Sequence, residues 1–281
     1  MVINMSENNL KYGIVAVDLD GTLLTTDKQV SDANIQALKK YMDAGGKVIV
    51  STGRAYPGAK KFLDVIKPNA PVITNNGAIM LESGEVIFEE GLETEDARRI
   101  LELGNKYDVS MIIWSRFQLY GNRIDEKLLD YGRRFAHTNP QEIPDGDYEA
   151  LLKKGITKIL WYVTEKRAKE LAEITPETLF NSVRVCTSEP MFLEFFNKKV
   201  SKAIVLEKAC EKYGIPSERV IAVGDAENDI CMLEFAGLGV AMANANDKTK
   251  KAADAVTAHT NDEDGVAELI EKYAMSAFTS L

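Results

Sequence analysis

The stretch Asp18-Leu19-Asp20-Gly21-Thr22-Leu23-Leu24 follows directly on the apolar run Ile14-Val15-Ala16-Val17. Such a run is typical of a buried parallel strand, and open α/β sheets bind ligands beyond the carboxyl ends of their strands. Two carboxylates therefore lie at a predicted binding edge. One of them can attack an electrophile or bind a hard cation, and the neighbouring like charge tends to separate their pKa values. An ordinary Asp-Gly turn after a strand is the alternative interpretation.

Three further segments carry groups of a similar kind. Val220-Ile221-Ala222-Val223 leads into Gly224-Asp225-Ala226-Glu227-Asn228-Asp229, and Val48-Ile49-Val50 leads into Thr52-Gly53-Arg54. Val200-Ser201-Lys202 opens a predicted helix that supplies a cation. Three predicted strands thus end in oxygen ligands or anion-binding groups, which indicates a site for a metal ion and an anion.

In their order, these four segments resemble the signature of the haloacid dehalogenase superfamily. That signature is an aspartate followed two residues later by another, a threonine or serine, a lysine, and a paired acidic motif. The resemblance extends along nearly the whole chain to the Cof-type sugar phosphatases. Ala203 departs from it, because glycine usually follows the lysine. The further segments that carry it are Asn76-Gly77-Ala78, Leu193-Glu194-Phe195, Val240-Ala241-Met242-Ala243-Asn244-Ala245 and Asp262-Glu263-Asp264-Gly265-Val266-Ala267.

The resemblance implies catalytic roles for the two aspartates. Asp18 is the implied nucleophile, which forms an aspartyl phosphate that water later hydrolyses; a covalent carboxylate divides a difficult displacement into two steps. Asp20 is the implied general acid and base, which protonates the departing alkoxide and then deprotonates water. The implied activity is Mg²⁺-dependent hydrolysis of phosphate monoesters of small metabolites, such as sugar phosphates.

The same resemblance implies ligands for phosphate and metal. Fixed donors matter because phosphoryl transfer depends on positioning and electrostatics, and here they are Thr52, Gly53, Lys202 and Asn228. Arg54 is a further candidate for substrate contact. Mg²⁺ is the implied cofactor because it prefers hard oxygen ligands. Its implied ligands are Asp18, the backbone carbonyl of Asp20, Asp225 and Asp229. Asp229 either reaches the metal or holds Lys202 by an ion pair.

The alternation of strands and helices predicts an α/β fold with a doubly wound, Rossmann-like parallel-sheet core. We assign the core to residues 1–84 and 196–281, and an inserted α+β cap domain to residues 85–195. Ser31 is the predicted N-cap of a helix that ends at Gly45, and Leu81–Phe88 predicts a hairpin. In the resembled family such an insertion is a large cap over the active site. Its predicted helices lie near 95–107, 126–135 and 165–173, and its strands near 111–114, 157–163 and 184–186.

Composition limits the partners and the location. The net charge of −9 over 281 residues argues against general affinity for nucleic acid or anionic membranes. No apolar run approaches the roughly 18 residues of a membrane span, and Met1 to Tyr12 lacks the apolar core of a secretory signal. Three cysteines without metal-ligand spacing suggest buried thiols in a reducing cytosol. We expect a cytoplasmic monomer or small homo-oligomer whose partner is a small phosphorylated molecule.

Alternatives remain for the function and the substrate. A phosphomutase uses the same phosphoaspartate, and a phosphorylatable receiver domain also presents acids at strand ends. Hexose phosphates, flavin mononucleotide, pyridoxal phosphate and nucleotides are all open as substrates. In the insertion, side chains able to contact a leaving group are Trp114, Arg116, Tyr120, Arg123 and Arg133, although packing and surface roles are more frequent for such residues.

Overall fold

The structure is a computed structural model that describes residues 10–143, 147–187 and 190–275. Most of the segment from Met1 to Tyr12, which lacks the apolar core of a secretory signal, lies outside these residues, as far as Asn9. The chain divides into two compact units. The first unit comprises Met1–Gly53, Lys60–Ile87 and Ser201–Leu281, and the second comprises Arg54–Ala59 and Phe88–Val200. Among the described residues, no helix combines the length and apolar character needed to cross a membrane.

Strands and α-helices occur in both units. The described strands are β1 (Ile14–Val17), β2 (Lys47–Ser51), β3 (Val72–Thr74), β4 (Ile79–Glu82), β5 (Glu85–Glu89), β6 (Ser110–Ser115), β7 (Gln118–Gly121), β8 (Gln141–Glu142), β9 (Lys158–Tyr162), β10 (Val183–Cys186), β11 (Phe192–Asn197), β12 (Val220–Gly224), β13 (Leu238–Ala241) and β14 (Ala255–Val256). The described helices are α1 (Asp32–Asp43), α2 (Tyr56–Ile66), α3 (Thr94–Lys106), α4 (Glu126–Tyr131), α5 (Glu149–Lys154), α6 (Glu165–Ile174), α7 (Lys202–Tyr213), α8 (Ile230–Phe235), α9 (Asp247–Ala252) and α10 (Gly265–Leu269).

The larger sheet has eight strands in the order β14-β13-β12-β1-β2-β3-β4-β5. Its central strand β1 pairs in parallel with β2 on one side and β12 on the other, and Val17 lies opposite Val50 and Val223. All four residues of β1 are buried, as an apolar strand covered on both faces requires. The strand order reverses at β1, which is where doubly wound sheets bind ligands. The predicted α/β fold class is confirmed.

Local signals account for the ends of several elements in this unit. Ser31 caps α1, since its Oγ accepts a hydrogen bond from the backbone N–H of Asn34 at 3.2 Å. Gly45 follows the helix with a φ of 92°, a conformation that glycine adopts without strain. Ser83 and Gly84 join β4 to β5 with φ values of 51° and 84°, and two positive φ values are the requirement of a tight hairpin turn.

The second unit contains a six-stranded sheet in the order β10-β11-β9-β6-β7-β8. Its pairs are antiparallel except for β7 with β8. Alternating side chains divide its core between the two faces of the sheet. Ile159 and Trp161 pack in one apolar cluster, and Leu160 packs in another beside Trp114. Trp114 is therefore a core residue, as its position after an apolar run predicts.

The cysteines agree only in part with the sequence-based expectation of buried thiols. All three are free thiols. Cys210 is buried, whereas Cys186 and Cys231 are half-buried. Burial raises the pKa of Cys210 to about 12, so this thiol stays protonated at neutral pH.

Candidate active site

Parallel pairing brings three of the sequence-predicted segments to one edge of the larger sheet. Asp18 follows β1, Thr52 follows β2, and Asp225 follows β12. The backbone N–H of Asp18 donates to the carbonyl of Val223 at 3.1 Å, which continues the β1–β12 ladder past the end of β1. Thr52 is buried, and its N–H donates to Ile73 at 2.9 Å. Asp18 and the acidic motif that begins at Asp225 thus leave neighbouring strands in the same direction.

Lys202 is the first residue of α7 and points into this edge. Ser201 caps the helix, because its Oγ accepts a hydrogen bond from the N–H of Ile204 at 3.2 Å. The Nζ of Lys202 lies 2.5 Å from Oδ1 of Asp18 and 2.5 Å from Oδ1 of Asp229. Burial by itself lowers the pKa of a lysine, but these two carboxylates raise the pKa of Lys202 above its ordinary value. Lys202 is therefore a fully buried ammonium group.

Asp225 joins the two carboxylates that contact this ammonium in one acidic cluster. Oxygen atoms of Asp18, Asp225 and Asp229 all lie within 4.8 Å of one another. Burial and the neighbouring Asp229 raise the pKa of Asp225 to about 6. Burial also raises the pKa of Asp18 well above its ordinary value, although Lys202 opposes the shift. When all three are ionised, the cluster has more negative charge than Lys202 can offset.

The cluster fits a divalent hard cation. Its donors are carboxylate oxygens, which Mg²⁺ prefers, and the uncompensated negative charge favours such an ion. Gly21, with a φ of 71°, allows the loop after Asp20 to approach this point. A Cβ atom at Gly21 would lie 2.3 Å from Oδ2 of Asp225, so any other residue would displace that carboxylate. Thr22 orients the same carboxylate, since its Oγ1 donates to Oδ1 at 3.2 Å.

Asp229 is fully buried and has hydrogen bonds at both oxygens. Oδ1 accepts from Lys202, and Oδ2 accepts from the backbone N–H groups of Asp225 and Ala226 at 3.0 Å each. Gly224 makes this possible, because a Cβ there would lie 2.4 Å from Cβ of Asp229. Of the two roles that sequence left open for Asp229, the ion pair with Lys202 is the contact observed in the structure.

Asp20 lies at the more accessible side of the site. Its side chain is 40% exposed, and Oδ1 lies 2.8 Å from Nζ of Lys28. The loop that carries it is held by Asn244, whose Nδ2 donates to the carbonyl of Gly21 at 2.7 Å. Sequence reasoning missed both contacts. Asn244 lies in a segment typical of the family, whereas no sequence signal pointed to Lys28.

The remaining predicted ligands have different surroundings. The Nδ2 of Asn228 donates to Oδ1 of Asn76 at 3.0 Å. Gly53 lies against the same residue, since a Cβ at Gly53 would be 2.9 Å from Oδ1 of Asn76. Arg54 belongs to the second unit, where Nη1 donates to the carbonyl of Gly58 at 3.3 Å. The structure therefore gives Arg54 a local contact and adds Asn76 to the site.

The side chains of the second unit considered as leaving-group contacts are all engaged inside that unit. Most of these contacts are ion pairs or hydrogen bonds at its surface. The partners are Glu89 for Arg116, Lys154 for Tyr120, Asp108 and Asp125 for Arg123, Glu126 for Arg133, and Tyr131 for Trp114. Each residue thus has a structural role.

The sequence and the fold can be compared with those of known proteins. A sequence profile described as haloacid dehalogenase-like hydrolase matches residues 15–270. The chain belongs to the haloacid dehalogenase-like hydrolases. The membership predicted from the four motifs and the Cof-type segments is thereby confirmed. Several curated relatives are named phosphatases, and the chain is a hydrolase of phosphate monoesters.

Relatives of this hydrolase align along almost its whole length. The Bacillus subtilis 5-amino-6-(5-phospho-D-ribitylamino)uracil phosphatase YitU is 30% identical over 268 residues, which are 92% of this chain and 97% of YitU. TM0651 from Thermotoga maritima is 32% identical with a TM-score of 0.84, over 95% of this chain and 99% of TM0651. The sugar phosphatase BT4131 is 26% identical with a TM-score of 0.78, over 92% of this chain and 97% of BT4131.

Proposed function

We propose that this hydrolase is a Mg²⁺-dependent phosphatase of small phosphorylated metabolites that acts through a phosphoaspartate on Asp18. The observation that carries the proposal is the buried cluster in which Lys202 contacts Asp18 beside Asp225 and Asp229. Two anions, a carboxylate and a phosphate, repel each other unless positive charge lies between them. Lys202 supplies such charge directly at the attacking carboxylate.

In the first step, an oxygen of Asp18 attacks phosphorus and the bond from phosphorus to the alcohol oxygen breaks. Thr52, Lys202 and Asn228 hold the oxygens of the transferring group, where fixed donors stabilise developing charge. Asp20, in its protonated form, gives its proton to the departing alkoxide. The products of this step are an alcohol and an aspartyl phosphate.

In the second step, water hydrolyses the aspartyl phosphate. Asp20 has lost its proton in the first step and now takes one from the attacking water, which restores its starting state. The attack releases inorganic phosphate and regenerates the carboxylate of Asp18. The partial exposure of Asp20 is compatible with both tasks, because leaving group and water both approach from solvent.

The residues that would hold Mg²⁺ are Asp18, the carbonyl of Asp20 and Asp225. The cation supplies charge neutralisation for the phosphoryl group and the carboxylates. We assign Asp229 to the positioning of Lys202 and of the turn after β12, because its oxygens are already hydrogen-bonded there.

We further assign substrate discrimination to the second unit as a cap domain.

The test is phosphate release from a panel of phosphorylated metabolites. The panel includes hexose phosphates, flavin mononucleotide, pyridoxal phosphate, nucleotides and the ribitylaminouracil phosphate for which YitU is named. We expect sustained release of inorganic phosphate that a chelator stops and Mg²⁺ restores. Asp225→Asn should raise the Mg²⁺ concentration required. Full turnover without any divalent ion contradicts the metal role, and isomerised product without free phosphate indicates a phosphomutase instead.

A further inference from the structure

The turn Asn75-Asn76-Gly77, at the end of β3, has an unusual backbone. Its three residues have φ values of 51°, 55° and 101° in succession. Left-handed conformations are unfavourable for residues other than glycine, and asparagine is among those that tolerate them best. Consecutive left-handed residues persist only where the surrounding structure imposes them, and such positions cluster at functional sites.

The first residue of this turn adds a second unfavourable feature. The side chain of Asn75 is buried with 1% exposure. Its Nδ2 and Oδ1 have no hydrogen-bond partner among the residues that the structure describes. An unsatisfied buried amide opposes folding, so the stability of this turn depends on its other contacts and on the rest of the fold.

Those contacts join the segments that we assign to phosphate binding. The N–H of Asn76 donates to the carbonyl of Thr52 at 3.1 Å, and its Oδ1 accepts from Asn228 at 3.0 Å. Gly77 packs against Ser201, the cap of α7, where a Cβ on Gly77 would lie 2.4 Å from the carbonyl oxygen of Ser201. One turn therefore contacts the threonine, asparagine and lysine segments.

We propose that Asn76 is a positioning residue that orients the side-chain amide of Asn228 toward the transferring phosphoryl group. Asn228 is exposed, and an exposed amide rotates readily unless a partner fixes it. Its Nδ2 has two hydrogens; one bonds to Asn76, and this bond fixes the direction of the other. A donor oriented before substrate binds loses less freedom on binding.

This inference rests on the proposed function and is tested separately from it. The variants are Asn76→Gly, Asn228→Ala and the double variant, and the probes are inorganic phosphate and orthovanadate as inhibitors of aryl phosphate hydrolysis. Asn76→Gly removes the acceptor oxygen while glycine accepts the φ of 55°. Ser83→Gly, which changes a residue with a φ of 51° in the β4–β5 turn, is the matched control.

We expect Asn76→Gly and Asn228→Ala each to raise the inhibition constants about three- to tenfold, the loss expected from one hydrogen bond. In the Asn228→Ala background, Asn76→Gly should change them less than twofold, because its effect passes through Asn228. Ser83→Gly should match the wild type. Circular dichroism and thermal unfolding check that each variant is folded.

Two outcomes overturn the proposal: unchanged inhibition constants in Asn76→Gly, or effects of the two substitutions that multiply in the double variant. A purely structural role of the turn gives the second result. If Asn76→Gly does not fold, the substitute variant is Asn76→Asp, which retains an acceptor oxygen. Asn228→Ala should then raise the inhibition constants by the same factor in the Asn76→Asp background as in the wild type. A smaller rise overturns the proposal. Hydrolysis that depends on Asp18 under any of these outcomes leaves the proposed function intact.

Discussion

Nζ of Lys202 lies 2.5 Å from Oδ1 of Asp18, and both side chains are buried. This contact places a fixed positive charge beside the carboxylate that we assign as nucleophile. The two residues are far apart in sequence, so the contact depends on β1 and α7 meeting at one edge of the sheet. It supplies part of the local positive charge that an anionic substrate needs in a chain with a net charge of −9.

Replacing this ammonium tests the electrostatic part of the account. Lys202→Met keeps the apolar part of the side chain but leaves Asp18 and Asp229 without their cation. We expect kcat/KM to fall at least about 100-fold, the range seen when a stabilising donor is lost. We also expect the free energy of unfolding to fall by about 3–5 kcal/mol, since unpaired buried carboxylates remain.

Lys208→Met is the matched control for this substitution, because Lys208 lies on an exposed position of the same helix. Its kcat/KM should stay within about twofold of the wild type, since a distant surface charge is screened by salt. Steady-state kinetics and urea unfolding measure both effects. If folded Lys202→Met kept wild-type kcat/KM, Lys202 would have no part in phosphoryl transfer.

Asp96 gives the second unit a pH-dependent stability. Burial by itself would raise the pKa of Asp96, but hydrogen bonds from Asn181 and Ser182 lower it below its ordinary value. A group with a lowered pKa in the folded state stabilises the protein above the pKa of the unfolded state, and this contribution disappears as pH falls through the folded-state value. The stabilisation is therefore present at neutral pH.

Asp96→Asn should lower the free energy of unfolding by about 2–3 kcal/mol at pH 7, because the amide has only one acceptor oxygen for three donors. The difference from wild type should shrink below about pH 4. Asp43→Asn is the control. It breaks an exposed ion pair with Lys39 and should change the free energy of unfolding by less than about 0.5 kcal/mol. A constant difference from pH 7 to pH 3 would show that the charge of Asp96 contributes nothing.

Lys158 and Glu194 form a buried ion pair in the second unit, with Nζ 3.2 Å from Oε2 and side chains 6% and 4% exposed. Glu194→Leu should reduce the free energy of unfolding by about 3–5 kcal/mol, because a buried ammonium loses its partner. Adding Lys158→Met should recover much of this loss. Glu165→Leu, which breaks the exposed pair with Lys169, serves as the control and should cost far less. Equal losses in the single and double variants would argue against the pair as the cause.

Much of the fold and site could be predicted because the informative signals are local. Apolar runs ending in acids identified β1 and β12, and Ser31 with Gly45 marked the limits of α1. Short elements were missed, among them α9 and β8, because a few residues carry too little periodicity to distinguish helix from strand.

The contacts missed at the site are mostly non-local. Asn76 and Asn228 are separated by 152 positions in sequence, and Asn244 and Gly21 by 223. Their pairing depends on strand order, which spacing along the chain does not reveal. The contact of Asp229 also depends on tertiary structure. The sequence suggested either a metal ligand or an ion pair with Lys202, and only the position of Lys202 in the fold shows that the ion pair forms.

The central claim is that Asp18 accepts the phosphoryl group, and trapping the intermediate tests it most directly. Asp20→Asn should accumulate phosphoenzyme from an aryl phosphate, whose leaving group needs no proton, because the general base for the second step is missing. Quenching, borohydride reduction and peptide mass spectrometry should then show homoserine at position 18, with none in the Asp18→Asn variant. Continued turnover by folded Asp18→Asn, or a modified residue elsewhere with Asp18 intact, would contradict the account.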